Sequence, residues 1–182
     1  MKKFGKVIMV LMAVCLVVPM LSGCGSPTSK NVSDWQQVKS PTSSLSVTLP
    51  NDWQSDPSLD SEASIAYGND STGQYFMVLE ETKANYDDGY TLEQYANNVH
   101  DNMTDALATP TISDVSTSEA IGDGAYQFDM SGTIQNVKVH LIANFIEHGD
   151  NFYQLIGYCK AGDYTKTLVD FNNVFKSASF TD

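Results

Sequence analysis

The chain has 182 residues and carries 10 Lys+Arg against 22 Asp+Glu, a formal net charge of −12. Its basic side chains are all lysines, three of them (Lys2, Lys3, Lys6) at the extreme N-terminus, so a form beginning at Cys24 keeps seven lysines and 22 acids, a charge of −15. That balance excludes the dense cationic patch needed to displace counterions from nucleic acid or anionic headgroups. A hydrophobic content of 42% excludes disorder of the whole chain, and the length suits one domain able to bury about 70% of its unfolded surface.

The first element is a targeting segment. Met1 to Lys6 is cationic, and Val7 to Leu21 is apolar apart from Pro19, about 15 residues against the roughly 20 of a membrane-spanning helix. The run ends in Leu21-Ser22-Gly23-Cys24, which resembles the lipobox of bacterial lipoproteins. The resemblance implies that residues 1–23 are a lipoprotein signal peptide. It also implies that Cys24 takes a diacylglycerol thioether and becomes the first mature residue, with an amine open to a further acyl chain such as palmitate. Two acyl chains at about 0.8 kcal/mol per buried CH₂ hold a protein stably, where one is marginal. The competing readings are an ordinary cleaved signal with an incidental cysteine and an uncleaved anchor. The expected location is a cell membrane, lipid-anchored on the extracytoplasmic face. A Gram-positive plasma membrane is favoured, because Gly25-Ser26 holds no aspartate to suggest retention at an inner membrane.

Cys15 leaves with such a signal and Cys24 is lipidated, so Cys159 is the remaining thiol and no internal disulfide is expected. It sits in the apolar run Phe152 to Cys159 and reads as a buried strand cysteine rather than a nucleophile, since no local motif supplies the base that a catalytic thiolate needs.

Residues 24–34 are the lipid anchor and a flexible tether rich in Ser, Gly, Pro and Thr, and residues 35–182 form one domain. Strands are expected at Leu45 to Leu49, by its period-two alternation, at Ala63 to Tyr67 and at Tyr75 to Thr82. The last of these places Tyr75, Met77 and Leu79 on one face and Phe76, Val78 and Glu80 on the other. A helix follows from the capping box Thr91/Gln94, with Leu92, Tyr95, Ala96, Val99, Met103 and Leu107 as its apolar stripe and Thr109-Pro110 as its end. Three longer strands come next. They are Ala125 to Ile134, Val137 to Phe145 after a Gln135-Asn136 turn, and Phe152 to Cys159 after His148-Gly149-Asp150-Asn151. A last helix runs from Asp163, its N-cap, to Phe175.

Strands joined by short turns with two amphipathic helices make an α+β fold: an antiparallel sheet of about six to seven strands flanked by two main helices. The order Leu49-Pro50-Asn51-Asp52-Trp53, strand pair, helix opening Thr91-Leu92-x-x-Tyr95, three long strands, Phe152-Tyr153-Gln154-Leu155 and a closing helix before Ser177-Ala178-Ser179-Phe180 resembles the PsbP-like (Mog/PsbP) family. The resemblance spans residues 35–182. It implies docking or assembly rather than catalysis: one branch of the family binds photosystem II, another a small GTPase, and neither branch's partner residues can be placed here.

Chemistry-bearing motifs are missing from the sequence. There is no G-x-S-x-G, P-loop, C-x-x-C or H-E-x-x-H, and His100, His140 and His148 lack metal-ligand spacing. The Asn85 to Tyr90 loop fails as a calcium loop, because Ala84 and Tyr95 stand where ligands belong. Glu80 and Glu81 are neighbours on a strand and point to opposite faces, so they cannot share one reaction. Tyr86, Tyr90 and Trp35 are the aromatics expected at the surface. No catalytic residue, cofactor or metal is expected. The leading reading is a membrane-anchored, non-catalytic binding or assembly module that meets an unknown envelope protein, not nucleic acid, through an exposed apolar patch. A small-ligand or divalent-cation-binding lipoprotein and an envelope-polymer hydrolase are the alternatives.

Overall fold

The computed structural model describes residues 32–106, 108–134 and 136–181. The signal segment, Cys24 and most of the tether lie outside the described residues, as do Leu107 and Gln135.

The chain first forms β1 (Gln36–Lys39) and β2 (Leu45–Leu49), an antiparallel pair. It then runs through β3 (Gln54–Ser55), β4 (Ile65–Asn69), β5 (Gln74–Thr82), α1 (Leu92–Ala106), β6 (Ala108–Ile112), β7 (Ser116–Ser118) and β8 (Gly122–Ile134). The C-terminal part is β9 (Val137–His148), β10 (Asn151–Lys160), α2 (Tyr164–Lys176) and β11 (Ser179–Phe180). Two antiparallel sheets result. The larger has the order β3-β4-β5-β10-β9-β8-β6, with β7 also paired to β8, and the smaller has the order β1-β2-β11. The α+β class and the two flanking helices are as the sequence implies. The sheet of six to seven strands becomes an eight-stranded sheet with a separate three-stranded one, because β11 returns from the end of the chain to pair with Leu45 and Ser46.

The larger sheet has a core on each face. On one, α1 lays Leu92, Tyr95, Ala96, Val99 and Met103 over Met77, Leu79, Phe128, Phe145, Phe152 and Ile156. On the other, α2 and the small sheet bring Phe171, Val174 and Phe175 with Leu45, Val47 and Leu49 onto Phe76, Val78, Ile142 and Leu155. Alternation in β5 therefore feeds both cores: its odd residues face α1 and its even residues face α2, at period two.

Local signals set the element ends. The Thr91 N–H donates to Gln94 Oε1 at 2.9 Å and the Gln94 N–H to Thr91 Oγ1 at 3.2 Å, a reciprocal capping box. Asp163 precedes α2 but makes no side-chain capping bond. Asn136 takes the left-handed conformation (φ 68°) between β8 and β9, which pair directly at Ile134 and Val137. Pro110 does not simply follow the helix. It lies within β6, an edge strand, where its missing N–H costs no ladder bond.

Candidate functional site

Among the described residues, two of the polar constellations in the sheet faces bring ionisable side chains together. The first is on the α1 face. Glu81, near the end of β5, pairs across the ladder with Phe152 of β10, and Gln154 lies two residues further on, pointing the same way. Tyr95, one turn into α1, descends onto both. Its hydroxyl accepts from Gln154 Nε2 at 2.7 Å and donates to Glu81 Oε2 at 3.2 Å. Rings enclose this chain of bonds. Tyr95 stacks on Phe152 at 4.6 Å between centroids, and Tyr86 stacks on Tyr90 at 4.6 Å, with both of the latter edge-on to Phe152. Burial, then the facing Glu81 carboxylate, pushes the Tyr86 hydroxyl well above the ordinary tyrosine range. Burial does the same at Tyr95, again with Glu81 adding to it.

The second constellation lies on the opposite face. Tyr164, the first residue of α2, donates its hydroxyl to Asp129 Oδ1 of β8, and His140 Nε2 of β9 lies 3.3 Å from the same oxygen. The His140 and Tyr164 rings are stacked, 3.3 Å between centroids and 2° apart. Cys159 of β10 is directly opposite His140 in the ladder, so thiol and imidazole share a sheet face. Cysteine, histidine and aspartate thus stand on three neighbouring strands. Burial pushes the Cys159 thiol up to about 11, only partly offset by a hydrogen bond with Thr167, so it is a neutral thiol at neutral pH. His140 is also already stacked on Tyr164 and beside Asp129. The arrangement is a packed polar contact between α2 and the sheet rather than an armed nucleophile.

Glu80 and Glu81 diverge to opposite faces as expected. Glu80 anchors the loop before β2, accepting from Ser40 Oγ (2.6 Å), Ser43 Oγ (3.0 Å) and Thr42 Oγ1 (3.0 Å). Tyr86, Tyr90 and Trp35 are half-buried rather than exposed, because the tyrosines cover the first constellation and Trp35 packs beside the small sheet. The apolar docking patch is a further correction: among the described residues the exposed large hydrophobic side chains are Val32 and Val169. Among the described residues no group of three or more His, Cys, Asp and Glu side chains is gathered as metal ligands, and no helix is long and apolar enough to cross a membrane.

Sequence reading missed Tyr95 as the link between Glu81 and Gln154, and His140 as the neighbour of Cys159. The second pair was within reach. Once His148 and Asn151 close the hairpin, counting back along both strands brings 140 opposite 159. The Tyr95 link had no such signal, because α1 reaches the sheet from a different part of the chain.

No protein-family model and no curated protein sequence matches the chain. Solved structures do. Cyanobacterial PsbP (CyanoP) from Synechocystis sp. PCC 6803 superimposes with a TM-score of 0.58 at 12% identity, over 87% of this chain and 99% of that one. The Ran-binding protein Mog1p of Saccharomyces cerevisiae gives 0.56 at 8% identity, over 82% and 96%. The fold is PsbP/Mog1-like. LpqN of Mycobacterium tuberculosis, described as involved in cell envelope biogenesis, gives 0.50 at 17% identity, over 81% and 91%. At these identities the likeness is one of fold.

Proposed function

We propose that this chain is a bacterial lipoprotein, held on the extracytoplasmic face of a membrane through lipid on Cys24, and that its PsbP/Mog1-like domain is a non-catalytic binding or assembly module. The observation that carries the reading is Leu21-Ser22-Gly23-Cys24 behind a cationic and apolar leader, joined by a short tether to a domain of this fold. The domain begins at residue 35 in this reading. A tether this short would hold it close to the bilayer.

Three features support the non-catalytic part. The Cys159 thiol is buried and kept protonated, Glu80 is spent on three hydroxyls, and Glu81 lies beneath aromatic rings on the other face. Two of the fold neighbours are described as a Ran-binding protein and as a protein involved in cell envelope biogenesis, in keeping with assembly work in this envelope too. Few large apolar side chains are exposed among the described residues, and the chain is strongly negative, which suits a basic envelope protein as partner.

The test is crosslinking in living cells, followed by mass spectrometry, with Cys24→Ala as control. The expected result is one stoichiometric envelope partner, lost together with membrane enrichment when Cys24 is replaced. Membrane enrichment unchanged in Cys24→Ala would overturn the anchor. An empty capture from folded, lipidated protein would overturn the assembly role.

A further inference from the structure

The α1 constellation carries more than a structural bond. Glu81 and Gln154 are both more than nine-tenths buried, at 7% and 5% exposure, and Tyr95 holds one polar atom of each. The remaining polar atom of each, Glu81 Oε1 and Gln154 Oε1, makes no well-formed hydrogen bond among the described residues, although the Tyr86 hydroxyl faces the Glu81 carboxylate. Two buried acceptors, one of them on a carboxylate, carry a desolvation cost that a donor would relieve. The surroundings specify the donor. Tyr86, Tyr90, Tyr95 and Phe152 present an aromatic lining, which attracts positive charge. Glu81 is a single carboxylate, too few hard ligands for a divalent metal. A primary ammonium supplies three N–H donors and one charge, and its alkyl chain suits the rings.

An ammonium already uses this ring set from outside. Lys83 Nζ lies 5.3 Å from the Phe152 centroid, tied to Glu147 at 2.9 Å and to the Gly149 carbonyl at 3.0 Å. That leaves Lys83 engaged at the rim and Glu81 without a cation beneath. The cover is thin: every residue from Thr82 to Thr91 is half-buried or exposed, and Asp87 and Asp88 are exposed between the two covering tyrosines. The charge of the whole chain adds a general attraction for cations.

We propose that Glu81 and Gln154, lined by Tyr86, Tyr90, Tyr95 and Phe152, form a binding site for the ammonium group of a small alkyl amine or diamine, admitted by outward movement of the 82–91 turn. The site goes beyond the assembly reading and does not rest on it, because neither membrane nor partner enters its geometry.

The test uses the full-length chain in a non-ionic detergent, titrated with butane-1,4-diamine by calorimetry, with the side-chain amide of Gln154 followed by NMR. Butane-1,4-diol, tetramethylammonium and sodium chloride at matched ionic strength are the comparisons. Saturable diamine binding that shifts the Gln154 amide is expected. It should weaken about tenfold or more in Glu81→Gln and for tetramethylammonium, which has no N–H to donate, and vanish for the diol. Absence of saturation at about 10 mM diamine, an equal response to sodium chloride, or tetramethylammonium binding as tightly as the diamine would each overturn the proposal. So would undiminished binding in a folded Glu81→Gln variant. If that variant does not fold, the ligand series on the native chain decides alone.

Discussion

The Phe171 ring lies against Gly157 so closely that a Cβ at position 157 would stand 2.8 Å from Phe171 Cδ1 and 2.9 Å from Cγ. Phe171 is fully buried and meets Trp53 edge-on at 6.1 Å, so it has no easy route of retreat. A glycine at the centre of β10 lets α2 settle on the sheet. Gly157→Ala gains about 0.5–1 kcal/mol from a less flexible unfolded chain and a better strand former. It loses about 1–3 kcal/mol to overpacking, and overpacking wins. A lowered denaturation midpoint is expected in urea, and an unchanged or raised one would contradict this packing account.

Much of this arrangement was legible in the sequence, and what was missed has a physical reason. Strand β5 announced both its faces because each is covered, so alternation showed two apolar sets rather than one. The α1 cap and the β9–β10 hairpin were equally visible, since their signals lie within a few residues. Strands β3 and β11 have two residues each, too few for a period, and β6 hides behind Pro110, which argues against a central strand but not against an edge. The small sheet is invisible locally because β11 meets β2 across most of the chain. The candidate site follows the same division. Glu81 was placed correctly as a strand-end carboxylate, yet its burial depends on Tyr95, Tyr86 and Tyr90, which are brought over it by the turn into α1.

The capping box gives a local prediction. Thr91→Ala removes the acceptor for the Gln94 N–H and weakens the return bond from Gln94. The expected loss is about 1 kcal/mol of stability. It should appear in equilibrium urea unfolding with an unchanged m-value, whereas no loss would show that tertiary packing alone fixes the start of α1.

Tyr95→Phe tests the buried chain of bonds. The ring and its stacking on Phe152 remain, but Glu81 Oε2 loses its donor and Gln154 Nε2 its acceptor. A hydrogen bond to a buried charged group is worth about 1.5–3 kcal/mol, so a loss of that order is expected in chemical denaturation. The comparison is Tyr90→Phe, whose hydroxyl donates to the Gln94 carbonyl at the surface and whose loss should cost about 0.5 kcal/mol or less. Equal effects at the two positions would remove the special standing of Tyr95.

The tyrosines set an alkaline limit. Burial is the first cause holding Tyr75, Tyr86, Tyr90, Tyr95, Tyr158 and Tyr164 above the ordinary value of 10, with Tyr75 pushed up to about 12. In the unfolded chain these groups ionise near their ordinary value, so above about pH 10 the folded state binds more protons and stability falls as pH rises. Below that value both states are protonated and these groups contribute no pH dependence. Urea midpoints should therefore be lower at about pH 11 than at about pH 9, and equal midpoints would contradict the burial of these hydroxyls.

Cys159 offers the last prediction, and it separates a packed thiol from a reactive one. Its side chain is 1% exposed and faces α2, and burial raises its pKa from 9.0 to about 11. Attack on a disulfide reagent needs both thiolate and access, and the folded chain withholds both, even though His140 stands opposite. In a form that lacks Cys15 and Cys24, the aromatic disulfide reagent used to count thiols should find almost none at neutral pH and one after denaturation in guanidinium. The rate in the folded state should follow the opening of the α2 face and so rise in Gly157→Ala, which loosens that contact. A fast reaction in the folded native domain would overturn this account and turn the Cys159, His140 and Asp129 alignment into a candidate nucleophile.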